Sequence, residues 1–174
     1  MKNLFESSFS WLLSDYSNHN FFCERDIVWT LQKYILGEIK DKQLPFSLFN
    51  EWPMEPKKQY ADLVIGAKTS VEQFKPEEIL EVKYEPDRNR KIFLKTKFPV
   101  VSLKEFKKDI DRVSDFVRKG TVEAGYCLFV DEGGYYKEDH AALKDAERVS
   151  SDNNGPVFYL FKFRSGATNA DAAP

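Results

Sequence analysis

Two short apolar runs, Tyr60-Ala61-Asp62-Leu63-Val64-Ile65 and Ile79-Leu80-Glu81-Val82-Lys83-Tyr84, carry ionised side chains where a core strand ordinarily carries none. Both read as buried strands, 60–66 ending at Gly66 and 79–84 closed by Pro86. Side chains alternate across a strand, so Glu81 and Lys83 share one face while Leu80, Val82 and Tyr84 share the other. A carboxylate and an ammonium on one face of an apolar strand cost stability unless something there uses them. An Asp on a neighbouring strand would complete a hard-oxygen metal site with a Lys beside it, which is the chemistry of phosphodiester hydrolysis.

The rest of the chain frames these strands. An aromatic-rich segment, Leu4 to Tyr16, reads as a short helix broken by Asn18-His19-Asn20. Ile27, Leu31, Tyr34 and Ile35 fall at helical spacing and predict a helix over 22–39. Residues 47–55 alternate weakly and read as a strand ending near Pro53 and Pro56. A loop from Ala67 to Glu78 follows the first charged strand, and a basic irregular stretch, 87–99, follows the second. A helix is expected over 103–119, with Phe106, Ile110, Val113 and Val117 on one face. An apolar strand is expected over 124–130, a polar helix over 137–149 and a last strand over 157–163. The expected fold is α/β: one domain over 1–164 with 1–20 as an N-terminal extension, and a mixed central sheet flanked by helices. Strands 60–66 and 79–84 are close enough to pair antiparallel, and 79–84 connects to 124–130 by a right-handed parallel crossover. The small, polar stretch 165–174 reads as a disordered tail.

Composition narrows the function classes. The 174 residues suffice for a real core, and 15 Phe point to an aromatic one. Trp29, Trp52 and the many Phe read as core. A net charge of −2 argues against a broadly cationic nucleic-acid coat and leaves a local patch open. With two histidines, His19 and His140, a His-rich transition-metal site is excluded. Cys23 and Cys127 are far apart and read as reduced buried thiols in a cytoplasmic protein. No apolar run approaches the roughly 18 residues of a membrane span, so no membrane partner is expected.

The candidate chemistry rests on four side chains and one carbonyl. Mg²⁺ prefers oxygen ligands and keeps several waters, so one or two protein carboxylates suffice. Asp62 and Glu81 are the candidate ligands, with the Val82 backbone carbonyl as a third. Lys83 is placed to orient a water or to stabilise charge on the phosphorus. The competing reading makes Asp62 a hydrogen-bonding strand-end residue and Glu81 with Lys83 an ion pair on a solvent-facing sheet surface. Glu24 is a fourth candidate catalytic residue, on the helical face of Ile27, Leu31 and Ile35; its competing role is a first-turn acid favoured by the helix dipole.

Asp62 followed by Glu81-Val82-Lys83 resembles the signature of the PD-(D/E)XK nucleases, the restriction-endonuclease-like superfamily. Ala61 stands where the name-giving Pro would be. The expected order of elements from 22 to 130 is similar to that superfamily's αβββαβ core. The resemblance implies a Mg²⁺-dependent nuclease, with Mn²⁺ able to substitute, acting on nucleic acid and on DNA ahead of RNA. It also implies that a helical Glu such as Glu24 reaches the metal or its water. The basic stretch after the second charged strand supplies candidate phosphate-binding residues, Arg88, Arg90, Lys91 and Lys95, against the ordinary reading of a solvated loop. Specificity is then left to loops, to a homodimer partner or to a larger complex. The alternatives are an inactive nuclease-fold module that binds nucleic acid or a protein, and an unrelated α/β domain.

Overall fold

A computed structural model of the chain describes residues 3–55, 59–90, 99–136, 141–150 and 155–165. Helices α1 (Leu4–Asp15) and α2 (Glu24–Asp41) lead into strands β1 (Phe46–Met54), β2 (Gln59–Ala67) and β3 (Glu78–Glu85). Helix α3 (Leu103–Arg118), β4 (Ala124–Asp131), β5 (Glu147–Ser150) and β6 (Val157–Arg164) follow. All six strands form one open mixed sheet in the order β1-β2-β3-β4-β6-β5. The first three strands are antiparallel neighbours, β3 and β4 run parallel, and β6 is antiparallel to both β4 and β5.

The periodicities place the helices on opposite faces. Phe5, Phe9 and Leu12 of α1 and Ile27, Leu31 and Ile35 of α2 pack on Leu63, Leu80, Val82 and Leu128. Phe106, Ile110, Val113 and Val117 of α3 pack on Val64, Ile79, Cys127 and Phe129 across the sheet. With both faces covered, β4 is buried at every position, as a parallel strand between two helical layers requires. Local chemistry sets the helix ends. Asn3 caps α1 by accepting from the Phe5 and Glu6 amides, and its side-chain amide donates to Glu78 at the start of β3. The Asp26 carboxylate accepts from the Phe22 and Cys23 amides and starts α2. Gly120, at φ +69°, lets the chain reverse after α3.

Three expectations need correction. Within 137–149, residues 141–146 form turns and Glu147–Ser150 is a strand on β6; 137–140 lie outside the described residues. The Ala, Leu, Lys and Glu content there favours a helix, but the free edge of β6 offers a ladder of backbone partners, and tertiary pairing wins. The strand is short, exposed and charged, the usual form of a protected edge. Cys23 is not a buried helical thiol: it is exposed, one residue before α2, while Cys127 is buried and both are unpaired. Trp52 packs against Phe49 and Phe74, but Trp29 is 54% exposed on α2. Ser165 is the last described residue of the expected tail, and its amide donates to the Glu123 carbonyl. Among the described residues no helix is long and apolar enough to cross a membrane.

Candidate functional site

The site is built where β2 and β3 part. Their ladder runs from Ile65↔Glu78 to Leu63↔Leu80 and stops there. One step further, the register sets Asp62 opposite Glu81, and cross-strand partners share a face. Instead of continuing the backbone ladder, Val82 N–H donates to the Asp62 carboxylate at 2.8 Å. A side-chain oxygen therefore replaces a strand carbonyl, and the two strands are held apart around a pair of acids.

Helices from both faces of the sheet reach into this opening. Glu81, only 4% exposed, accepts from the Arg112 guanidinium of α3 at 2.8 Å. The same guanidinium binds Asp109, one turn earlier, at 2.9 Å. Lys83 Nζ lies 3.2 and 3.3 Å from the carboxylate oxygens of Glu24 at the start of α2, and 3.5 Å from Asp109. It also donates to the Val82 carbonyl at 3.2 Å. Glu81 and Lys83 are thus not a mutual ion pair on a solvent-facing surface. Each is matched to a helix instead, and the Lys83 side chain is 23% exposed. Glu24 occupies the first helical position, where the dipole favours it, and is salt-bridged as well.

Four carboxylates, Glu24, Asp62, Glu81 and Asp109, share two cations, Lys83 and Arg112. The imbalance shows in the protonation of the acids. Burial, reinforced by the Asp62 charge, pushes the Glu81 carboxyl up to about 8 against the pull of Arg112. Burial also raises Asp62, against the Val82 amide and Lys83, and raises Glu24 against Lys83. Burial alone would lower Lys83, but Glu24, Asp109 and Asp62 outweigh it and hold the ammonium charged.

All four predicted site side chains, Glu24, Asp62, Glu81 and Lys83, therefore meet at one place, together with the Val82 backbone. Of the basic stretch only Arg88 has a described side chain. Arg88 lies beyond the end of β3 in a short 3-10 turn that also holds Arg90, and its guanidinium sits 4.4 Å over the Tyr135 ring. Lys91 and Lys95 lie outside the described residues. The sequence reading missed Asp109 and Arg112. A signal existed: Asp109 interrupts the apolar stripe of Phe106, Ile110 and Val113, and Arg112 is three residues on. The same reasoning that picked out Glu24 would have found it.

The donor atoms gathered here are hard oxygens. Among the described residues no three His, Cys, Asp or Glu side chains converge as a ready metal cage. Hard carboxylate and carbonyl oxygens from Asp62, Glu81 and Val82 suit Mg²⁺, which takes few protein ligands and keeps its waters.

Comparison with family models, with curated proteins and with solved structures finds no match.

Proposed function

We propose that this protein is a divalent-metal-dependent nuclease of the PD-(D/E)XK kind, hydrolysing phosphodiester bonds of nucleic acid. The observation that carries the reading is the buried cluster in the parted strands, where four acids share two cations. Such a cluster is short of positive charge, and Glu81 makes up part of the shortfall by keeping its proton to about 8. A divalent cation supplies the missing charge without a proton. The order α2-β1-β2-β3-α3-β4, with three antiparallel strands followed by a parallel one, supports the same reading, since it is the order of the αβββαβ core.

In this reading Asp62, Glu81 and the Val82 carbonyl hold Mg²⁺, with Mn²⁺ able to substitute. Bound there, the ion supplies Lewis-acid polarisation of a phosphate oxygen and lowers the pKa of a bound water. Lys83, kept protonated by Glu24 and Asp109, stabilises negative charge that builds on the phosphate oxygens. Glu24 sits beside Lys83 and accepts a hydrogen bond from the attacking water. Arg112 neutralises Glu81 and Asp109 from the α3 side and keeps both carboxylates in place.

The test is cleavage of plasmid and oligonucleotide substrates with Mg²⁺ or Mn²⁺. Lys83→Ala is expected to lower the rate by a factor of about 10² to 10³ while metal binding by calorimetry persists. Wild-type cleavage by Lys83→Ala would remove the reading. Nucleic-acid binding without cleavage under any metal would leave an inactive module of the same fold.

A further inference from the structure

The outward side of α2 is unlike that of α3. On α3 the charges are matched along the helix: Lys107 pairs with Asp111 at 2.9 Å, Lys108 with Glu105 at 2.7 Å and Arg118 with Asp115 at 2.6 Å. That is the ordinary solvated face. On α2 the exposed residues are Arg25, Trp29, Lys33, Leu36 and Lys40, with Asp41 at the last helical position. Spacings of three and four residues put Arg25 to Lys40 in one stripe, about 22 Å long, and Asp41 is turned about 100° from Lys40. No acid stands three or four residues from Arg25, Lys33 or Lys40. Among the described residues Lys33 and Lys40 have no ion pair. Arg25 meets Glu51 at 3.5 Å with both side chains well exposed, a contact that water and salt screen.

A groove joins this stripe to the buried cluster, lined by Asp62 and Glu24 together with Arg25 and Trp29. We infer that the stripe is the substrate-docking surface. Nucleic acid whose scissile phosphate sits at Asp62 and Glu81 leaves through this groove and lies along α2, with further phosphates on Arg25, Lys33 and Lys40. The inference rests on the nuclease reading and says which surface holds the substrate. Charge complementarity selects the occupant. The chain carries 28 acids against 26 Lys and Arg, so a row of cations with no acid on its own helix face is not the background. It suits a partner whose charge is also a row, with one member already at the site. Each phosphate met by a Lys or Arg releases a counterion and adds affinity, and such contacts set the path of the strand without reading its sequence. Trp29 and Leu36, between the cations, add apolar surface and no negative charge.

The experiment measures the affinity of a labelled DNA oligonucleotide, as single strand and as duplex, over a range of salt in Ca²⁺. Lys33→Gln combined with Lys40→Gln is expected to flatten the slope of log affinity against log salt by about 1.8 on a duplex and about 1.4 on a single strand. Thermal melts should be unchanged, because both side chains are exposed. Arg118→Gln combined with Lys119→Gln removes the same charge from the far end of α3 and should leave the slope where it was. An unmoved slope in the α2 variant, or an equal change in the α3 variant, overturns the inference. Vesicles of phosphatidylcholine and phosphatidylserine present the other anionic surface that a basic helix face meets. Vesicle binding that needs Lys33 and Lys40, with oligonucleotide binding indifferent to them, would assign the stripe to a membrane and overturn it as well. Cleavage in Mg²⁺ with an unmoved slope would leave the nuclease reading standing and the docking surface refuted. The expected change of slope in a protein that cleaves nothing with Mg²⁺ or Mn²⁺ would do the reverse.

Discussion

The Val82 amide, buried and out of reach of water, is satisfied by the Asp62 carboxylate where a strand carbonyl would ordinarily accept it. Asp62 therefore has two separable duties, acceptor and charge. Asp62→Asn can keep the acceptor through its amide oxygen while removing one of four crowded acids, so the metal-free protein should melt no lower than wild type. Asp62→Ala leaves Val82 N–H unpaired and should cost about 1–3 kcal/mol. Both variants should lose Mg²⁺ affinity. Thermal melts without metal, together with calorimetric titration, check the pair; equal melting losses would mean that the hydrogen bond contributes nothing. Lys83 shows the same economy at the scale of one side chain. It balances acids from helices on both faces of the sheet, so its charge is held in place before any substrate arrives.

At the scale of elements, the site depends on how closely α3 lies on the sheet, because α3 brings Asp109 and Arg112. Gly125 of β4 sets that distance. A Cβ there would stand 2.5 Å from a Val113 methyl and 3.1 Å from a Val117 methyl. Both valines are β-branched and buried, so neither can turn aside at low cost. Gly125→Ala should destabilise by about 1–3 kcal/mol through overpacking and push α3 outward. Adding Val113→Ala should recover part of the melting temperature. Cleavage by Gly125→Ala should fall by more than the folded fraction accounts for, since Arg112 and Asp109 move with the helix. Melting curves and specific activities of the single and double variants decide it; a Gly125→Ala protein as stable as wild type would show that the sheet, rather than the helix, gives way.

For the molecule as a whole, the cluster makes stability depend on pH in a stated direction. Unfolded, Glu81 loses its proton near the ordinary value of 4.5; folded, it holds it to about 8. Between those values the folded state binds the extra proton, so stability falls as pH rises through that window and levels off above it. The raised carboxyls of Asp62, Glu24, Glu78 and Glu85 lean the same way. Lys83 and Arg112 are raised above values already far outside the window and stay charged throughout it. Melts between about pH 5 and 9 in a chelator should therefore show a falling Tm. Glu81→Gln should flatten part of the fall. Added Mg²⁺ should stabilise most at the alkaline end, because it binds the deprotonated acids, and calorimetry in buffers of different ionisation heat should detect proton release. A Tm that rises from pH 5 to 8 without metal would contradict the buried-acid cluster.

Much of this architecture can be read along the chain because it is local. Period-two and period-3.6 apolar patterns mark β2, β3, β4, α2 and α3 within a few residues of their observed ends, since burial of one face is what makes each of them form. Glu24, Asp62, Glu81 and Lys83 stand out for the complementary reason that a charge inside an apolar pattern is costly without a partner. Asp109 interrupts its pattern in the same way and was legible in principle. What the chain order does not carry is the pairing. Glu81 and Lys83, two residues apart, look like partners, yet each finds its counter-ion on a helix distant in sequence, because the helices on the two faces of the sheet arrive at different sides of the opening. Nor does the pattern show that the ladder ends at Leu63↔Leu80, because the next residues have strand character too and only the Asp62 carboxylate taking the Val82 amide parts them. The exposure of Trp29 and the conversion of residues 147–150 into an edge strand are of the same kind. Both depend on which surfaces remain uncovered after the sheet and helices have packed.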